Sequence, residues 1–168
     1  MSNKTYQDTV IPLKEKLFRL AFSILQHPDE AEDVVQEILI KAWKNWEQWQ
    51  KLDNPVAWCY KLTRNLSIDK KRSRHFKSGQ EALPEDLRVA EPNPYQLAEN
   101  RDTIIYIKEL IATLPEQQRL VMHLRDIEEL AYQEIAEMLD ISLAQVKTSL
   151  FRARKSIQKK LTESRLYE

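Results

Sequence analysis

The chain has almost no glycine. Gly79 is the single one among 168 residues. That excludes phosphate-cradling glycine loops, both the P-loop and the dinucleotide fingerprint, because each needs several glycines for close backbone approach. Cysteine is equally scarce: Cys59 stands alone, so no internal disulfide forms and a reducing cytoplasm suits the chain. His27, His75 and His123 are scattered without metal-ligand spacing, and no cofactor is expected. No apolar run reaches the length of a membrane span and no signal-peptide pattern opens the chain. A cytoplasmic protein with no direct membrane insertion is therefore expected. Turn residues and alternating β-branched runs are few, which points to an all-α fold. Net charge is absent too, with 26 Lys and Arg against 26 Asp and Glu, so the overall balance implies no polyanionic partner.

What the chain does have is segregated charge. Asp29, Glu30, Glu32, Asp33 and Glu37 fall together with no base among them. Lys61, Arg64, Lys70, Lys71, Arg72 and Arg74 cluster against Asp69 alone. Separate acidic and basic faces let one molecule hold a protein and a nucleic acid at the same time.

Residues 1 to about 26 carry a helical stripe of Leu13, Leu17, Leu20, Ala21 and Ile24, with Pro12 near its start and His27-Pro28 ending it. A second helix is expected from Asp29, as cap, to about Trp46. Ala31, Val34, Val35, Ile38, Leu39 and Ala42 form its buried side. Asp33, Gln36 and Glu37 share another face, either simply wet or an acidic docking surface. Trp43, Trp46 and Trp49 follow at three-residue intervals, with Trp58 and Tyr60 nearby. Unstacked bases gain ~1–3 kcal/mol each on such rings, but at least half of these rings are expected in the core. Asn54-Pro55 reads as cap and first residue of a helix running to about Arg74, with Val56, Cys59, Leu62 and Leu66 inward. Its basic C-terminal half also suits the helix dipole. Residues 76 to 100 break the pattern. They hold Gly79, Pro84, Pro92 and Pro94, and the acids Glu81, Glu85, Asp86, Glu91 and Glu99 outnumber the bases, as in an extended linker.

Beyond the linker, Arg101 to Leu114 and a helix opened by Pro115 brace a final helix pair. The first of that pair buries Ile135, Ala136 and Leu139, and the second buries Val146, Leu150, Ala153 and Ile157. The break between them is Asp140-Ile141-Ser142. Ser142 and Gln145 fit a capping box. Lys147, Arg152, Arg154, Lys155, Lys159 and Lys160 line the second helix with no acid among them. Short helix, tight turn and longer basic helix suggest a helix-turn-helix that enters the major groove; the plainer alternative is a solvated basic face.

Two segments resemble a known family. AEDVVQEILIKAW (Ala31 to Trp43) with NPVAWCYKLTRNLSIDKKRSR (Asn54 to Arg74) is similar to region 2 of bacterial sigma factors of the extracytoplasmic-function type. The stretch from Leu114 to Ile157 resembles their region 4. The resemblance implies two small helical domains, residues 1–75 and 101–168, joined by the linker at 76–100. It implies a promoter-recognition subunit that binds core RNA polymerase, through the β′ clamp helices and the β subunit, and binds promoter DNA. It also implies an anti-sigma partner. Carried over, Asp33, Gln36 and Glu37 grip the β′ coiled coil. The loop around Gln50 to Pro55, with Lys51, Asp53 and Asn54, holds a flipped base of the −10 element. Trp58, Lys61, Arg64 and Asn65 follow the melted strand. Gln145, Lys147, Thr148, Arg152, Arg154 and Lys155 lie on the helix that reads the −35 element.

Three positions depart from the family pattern. Asp140 stands in the usual glycine position, at a cost of roughly 1 kcal/mol in a left-handed conformation. Ala131 replaces a usual serine cap, worth ~1 kcal/mol. Ser149 stands where arginine is frequent, which removes a phosphate contact. Gln145 could pair with an adenine edge or serve only the cap. Two other classes remain open on residues alone. A free-standing helix-turn-helix regulator leaves the Asp33 face and the tryptophans unexplained, and a helical adaptor leaves both basic helices idle. An enzyme finds no support in paired carboxylates or an activated nucleophile.

Overall fold

The computed structural model describes residues 5–77 and 100–165; the expected linker lies almost wholly outside them. Among the described residues there is no strand. The elements are α1 (Tyr6–Thr9), a 3₁₀ turn (Ile11–Leu13), α2 (Lys14–Leu25), α3 (Pro28–Lys44), α4 (Trp46–Trp49), α5 (Pro55–Lys77), α6 (Asn100–Ala112), α7 (Glu116–Met122), a π-helical turn (His123–Ile127), α8 (Tyr132–Leu139) and α9 (Leu143–Arg165).

The N-terminal half is a bundle of α2, α3 and α5. Leu17, Leu20, Ala21, Ile24 and Leu25 of α2 meet Ala31, Val34, Val35, Ile38 and Ala42 of α3, all of them buried. The first expected helix is broken into three pieces, since Pro12 sits in the 3₁₀ turn rather than in α2. Gln26 ends α2 in the left-handed region (φ 53°) and His27 is extended, as the following proline requires. The cap of α3 is His27, not Asp29: its Nδ1 accepts from the Glu30 N–H at 3.3 Å, with Pro28 in the first turn. At the far end, Arg74 of α5 bonds Glu30 at 2.9 Å and the terminal carbonyl of Leu25 at 3.3 Å. One guanidinium thus ties the ends of three helices together.

Aromatic rings fasten α1 to this bundle. The Tyr6 hydroxyl donates to the Leu39 carbonyl at 2.8 Å, and its ring meets Trp43 and Trp46 edge-on at 5.0 and 5.6 Å. The rings are less buried than expected. Trp49 and Tyr60 are in the core, Trp46 and Trp58 are half-buried, and Trp43 is 62% exposed. Trp43 lies at the end of α3 while Trp46 and Trp49 belong to α4, so the three rings do not share one helix face. Burial pushes the Cys59 thiol up to about 11, so it stays protonated and inert.

In the C-terminal half, α9 packs on α7, α8 and α6, with Val146, Leu150, Ala153 and Ile157 buried. Helices of the two halves also touch. α5 lies on α8, and α2 lies on α7.

Candidate polymerase and nucleic-acid interfaces

The acidic face survives folding as a surface. On α3 the Asp33 and Glu37 side chains are 66% and 51% exposed, and Gln36 is exposed. Both acids already have weak partners: Lys70 of α5 lies 3.7 Å from Asp33, and Lys41 lies 3.2 Å from Glu37. Exposed pairs of this kind are worth about 0–1 kcal/mol, so a better-placed set of cations replaces them at little cost. The face continues into exposed Ile40 and Trp43, two apolar side chains the charge pattern did not point to. Beside Gln36 an open groove runs between α2 and α3, lined by Phe18, Arg19, Glu32 and Val35.

The loop before α5 brings the second group together. Gln50, Lys51 and Asp53 are exposed, and Asn54 is half-buried. Asn54 caps α5 as expected, its Oδ1 accepting from the Ala57 N–H at 3.1 Å. That oxygen is therefore committed, at about 1 kcal/mol. Along α5, Lys61 and Asn65 are exposed, Trp58 and Arg64 half-buried, and Arg64 Nη1 donates to Asn65 Oδ1 at 3.2 Å.

The helix-turn-helix forms with the expected local chemistry. Asp140 closes α8 in the left-handed region (φ 57°), and the Ile141 N–H returns to the Ala136 carbonyl at 3.1 Å. Ala131 offers no side-chain cap, yet half of the box remains: the Glu134 carboxylate accepts from the Ala131 N–H at 2.8 Å. Ser142 and Gln145 close the other box, at 3.1 and 2.9 Å. Gln145, Thr148, Arg152 and Lys155 are exposed on one side of α9, and Lys147 is exposed beside them.

Two residues of α9 also make contacts within the protein. Arg154 is held by Asp126 of the π turn, and that hydrogen bond raises its already high pKa. Ser149 is buried, its hydroxyl accepting from Gln117 Nε2 of α7 at 2.9 Å. It faces α7. Phe151 was not singled out. It is 65% exposed, with the Lys155 ammonium 5.8 Å from its ring centre. The available signal was an aromatic lying off the Val146–Leu150–Ala153–Ile157 stripe.

Comparison with known proteins matches residues 10–76 to Sigma-70 region 2 and residues 104–157 to Sigma-70 region 4. The chain is 30% identical over 154 residues to the RNA polymerase sigma factor SigV of Bacillus subtilis, covering 91% of this chain and 89% of that one. It is 29% identical over 167 residues to the ECF RNA polymerase sigma factor SigW of the same organism, covering 94% and 89%. Among solved structures, the sigma factor RpoE of Bartonella quintana, in complex with the anti-sigma factor NepR, superposes with a TM-score of 0.72 at 22% identity, covering 94% of this chain and 96% of that one.

Proposed function

The chain belongs to the bacterial RNA polymerase sigma factors of the extracytoplasmic-function type, and on that premise we propose how its residues divide the work. The chain recognises promoters for RNA polymerase. Asp33, Gln36 and Glu37 dock a basic helical surface of core polymerase, the β′ clamp helices, and exposed Ile40 extends that contact. Lys51, Asp53 and Asn54 form the loop that receives an extruded −10 base. Trp58, Lys61, Arg64 and Asn65 hold the unpaired strand. Lys147, Thr148, Arg152 and Lys155 face the −35 duplex, while Gln145 and Arg154 are already engaged within the protein.

One observation carries this reading: the exposed acids of α3 and the exposed cations of α5 and α9 lie on different helices of one molecule. An acidic surface repels DNA and attracts a basic protein, while basic helices do the reverse. A free-standing regulator would need only α9. The chain acts by binding: melting is a redistribution of binding energy, with rings and cations stabilising the opened strand. Its place of work is the cytoplasm, beside polymerase and chromosome. Among the described residues no helix is long and apolar enough to cross a membrane. An anti-sigma protein that covers the two halves remains part of the proposal. Gel filtration of the full chain with core polymerase tests the docking role. Co-elution in equimolar amounts is the expected result, and separate elution at micromolar concentrations overturns it.

A further inference from the structure

The outward side of α9 carries one large apolar residue. Val146, Leu150, Ala153 and Ile157 are buried. Thr148, Phe151, Arg152 and Lys155 stand at i, i+3, i+4 and i+7, and all four are exposed. At 3.6 residues per turn, this second stripe lies opposite the first. Phe151 is in the middle of it, with the Lys155 ammonium 5.8 Å from its ring centre. A phenyl ring that is 65% exposed adds little to the core of its own half. It stands ~12 Å along the helix from Leu143, at 1.5 Å per residue. That is within the ~12 Å width of a DNA major groove, so a helix entering by its N-terminal turns brings this ring to the bases.

The surroundings of the ring are cationic. An open cleft beside it is lined by Leu150 and Tyr132 and by Lys147, Arg154 and Lys155. Arg154 is held by Asp126, while Lys147 and Lys155 are exposed. An apolar ring between cations suits a ligand that presents phosphates and an apolar group together. Duplex DNA is such a ligand.

A duplex offers a phenyl ring a narrow choice. Base faces are stacked on one another, and only the edges are open in the major groove. Guanine, cytosine and adenine present donors and acceptors there. The ring satisfies none of these, and covering one costs its hydrogen bond to water. Thymine alone presents an apolar group, its C5-methyl. One polar side chain on the same helix is already in use: Gln145 Oε1 accepts from the Ser142 N–H at 2.9 Å. That leaves apolar contact a larger share of the readout.

Resting on the promoter-recognition reading above, we propose that Phe151 is a specificity-determining residue that reads one thymine of the −35 element through its 5-methyl group, with Lys147 and Lys155 on the flanking phosphates. Deoxyuridine tests this, because it keeps the pairing and the hydrogen-bonding edge of thymine and loses only the methyl. Duplexes that require the chain for binding are recovered, with full-length chain and core polymerase, from a library randomised upstream of the −10 element. Each thymine of the recovered −35 element is then replaced singly by deoxyuridine. Affinity is measured by competition for wild type, Phe151→Ala and Phe151→Leu, each with wild-type helix content by circular dichroism. Burying one carbon corresponds to about fourfold in affinity, so wild type is expected to lose about that factor at one thymine. Phe151→Ala is expected to bind the thymine and uracil duplexes within about 1.5-fold of each other, and Phe151→Leu, still apolar, to keep a preference of about twofold. A merely structural role would weaken Phe151→Ala on both duplexes alike and leave the fourfold ratio in place, which overturns the proposal. A recovered element without thymine, or wild-type binding indifferent to every replacement, overturns it too and leaves the promoter reading standing. If no duplex requires the chain, the promoter reading fails and the methyl contact falls with it.

Discussion

Arg154 of α9 gives its Nε and Nη2 to the carboxylate of Asp126 in the π turn. Family resemblance places this arginine among the DNA contacts, yet within the protein it braces α9 against the element before the turn. Arg152, two residues away, is exposed. The two arginines are therefore expected to separate on substitution. Arg152→Ala should weaken −35 duplex binding about tenfold and lower the salt dependence by about one phosphate contact. Arg154→Ala should leave affinity within about twofold and remove no more than about 1 kcal/mol of stability. Titration of a −35 duplex at several salt concentrations checks both.

Docking on α3 depends on the sign of its charge. Asp33→Lys places a cation beside Lys70, which already lies 3.7 Å from the native carboxylate, and also faces the basic partner with like charge. Core polymerase binding should fall by more than about tenfold, while binding to a −35 duplex stays unchanged. A pull-down with core enzyme that retains Asp33→Lys as well as wild type contradicts the assignment.

The turn of the helix-turn-helix carries a removable penalty. Asp140 is left-handed at φ 57°, and glycine enters that region freely. Asp140→Gly is expected to raise stability by about 0.5–1 kcal/mol, read as a higher midpoint in urea unfolding. A lowered midpoint would mean the aspartate does more for the turn than its backbone angle suggests.

Acid should lower stability, and the sign follows from two shifts. Burial holds the His123 pKa below its usual 6.5, so the unfolded chain binds its proton first as pH falls. Stability is then fully present above about 6.5 and declines below it. Burial alone would raise the Glu128 pKa, but Arg19 more than offsets this and holds it below 4.5. Its contribution is present above that value and is lost at still lower pH. Unfolding midpoints should fall between pH 7.5 and 5.5 in wild type and flatten in His123→Gln. An unchanged slope in that variant would place the titration elsewhere.

The sequence made the helices legible because each buries a stripe with the helical period. Val146, Leu150, Ala153 and Ile157 were read as inward, and all four are buried. Caps at Asn54 and Ser142 were legible because their chemistry is local. Depth was not. Periodicity gives the side a residue takes but not how thick the cover is, so it did not separate exposed Trp43 from buried Trp49. The cap at His27 escaped notice because imidazole is an unusual acceptor there. Contacts between distant segments were beyond reach. Arg19 and Glu128 are separated by 109 positions, and their meeting depends on a left-handed Glu129 that no pattern announces. The ion pair of Arg154 with Asp126 and the burial of Ser149 have the same origin, since each is decided by a neighbouring element.

The most direct measurement is run-off transcription by core polymerase, with and without the chain, on a library of genomic fragments. Discrete transcripts that require the chain, start at fixed positions and vanish with Asp33→Lys are the expected outcome. A complete absence of chain-dependent transcripts, from a preparation that is folded by circular dichroism and supplied with active core enzyme, would contradict promoter recognition by this protein.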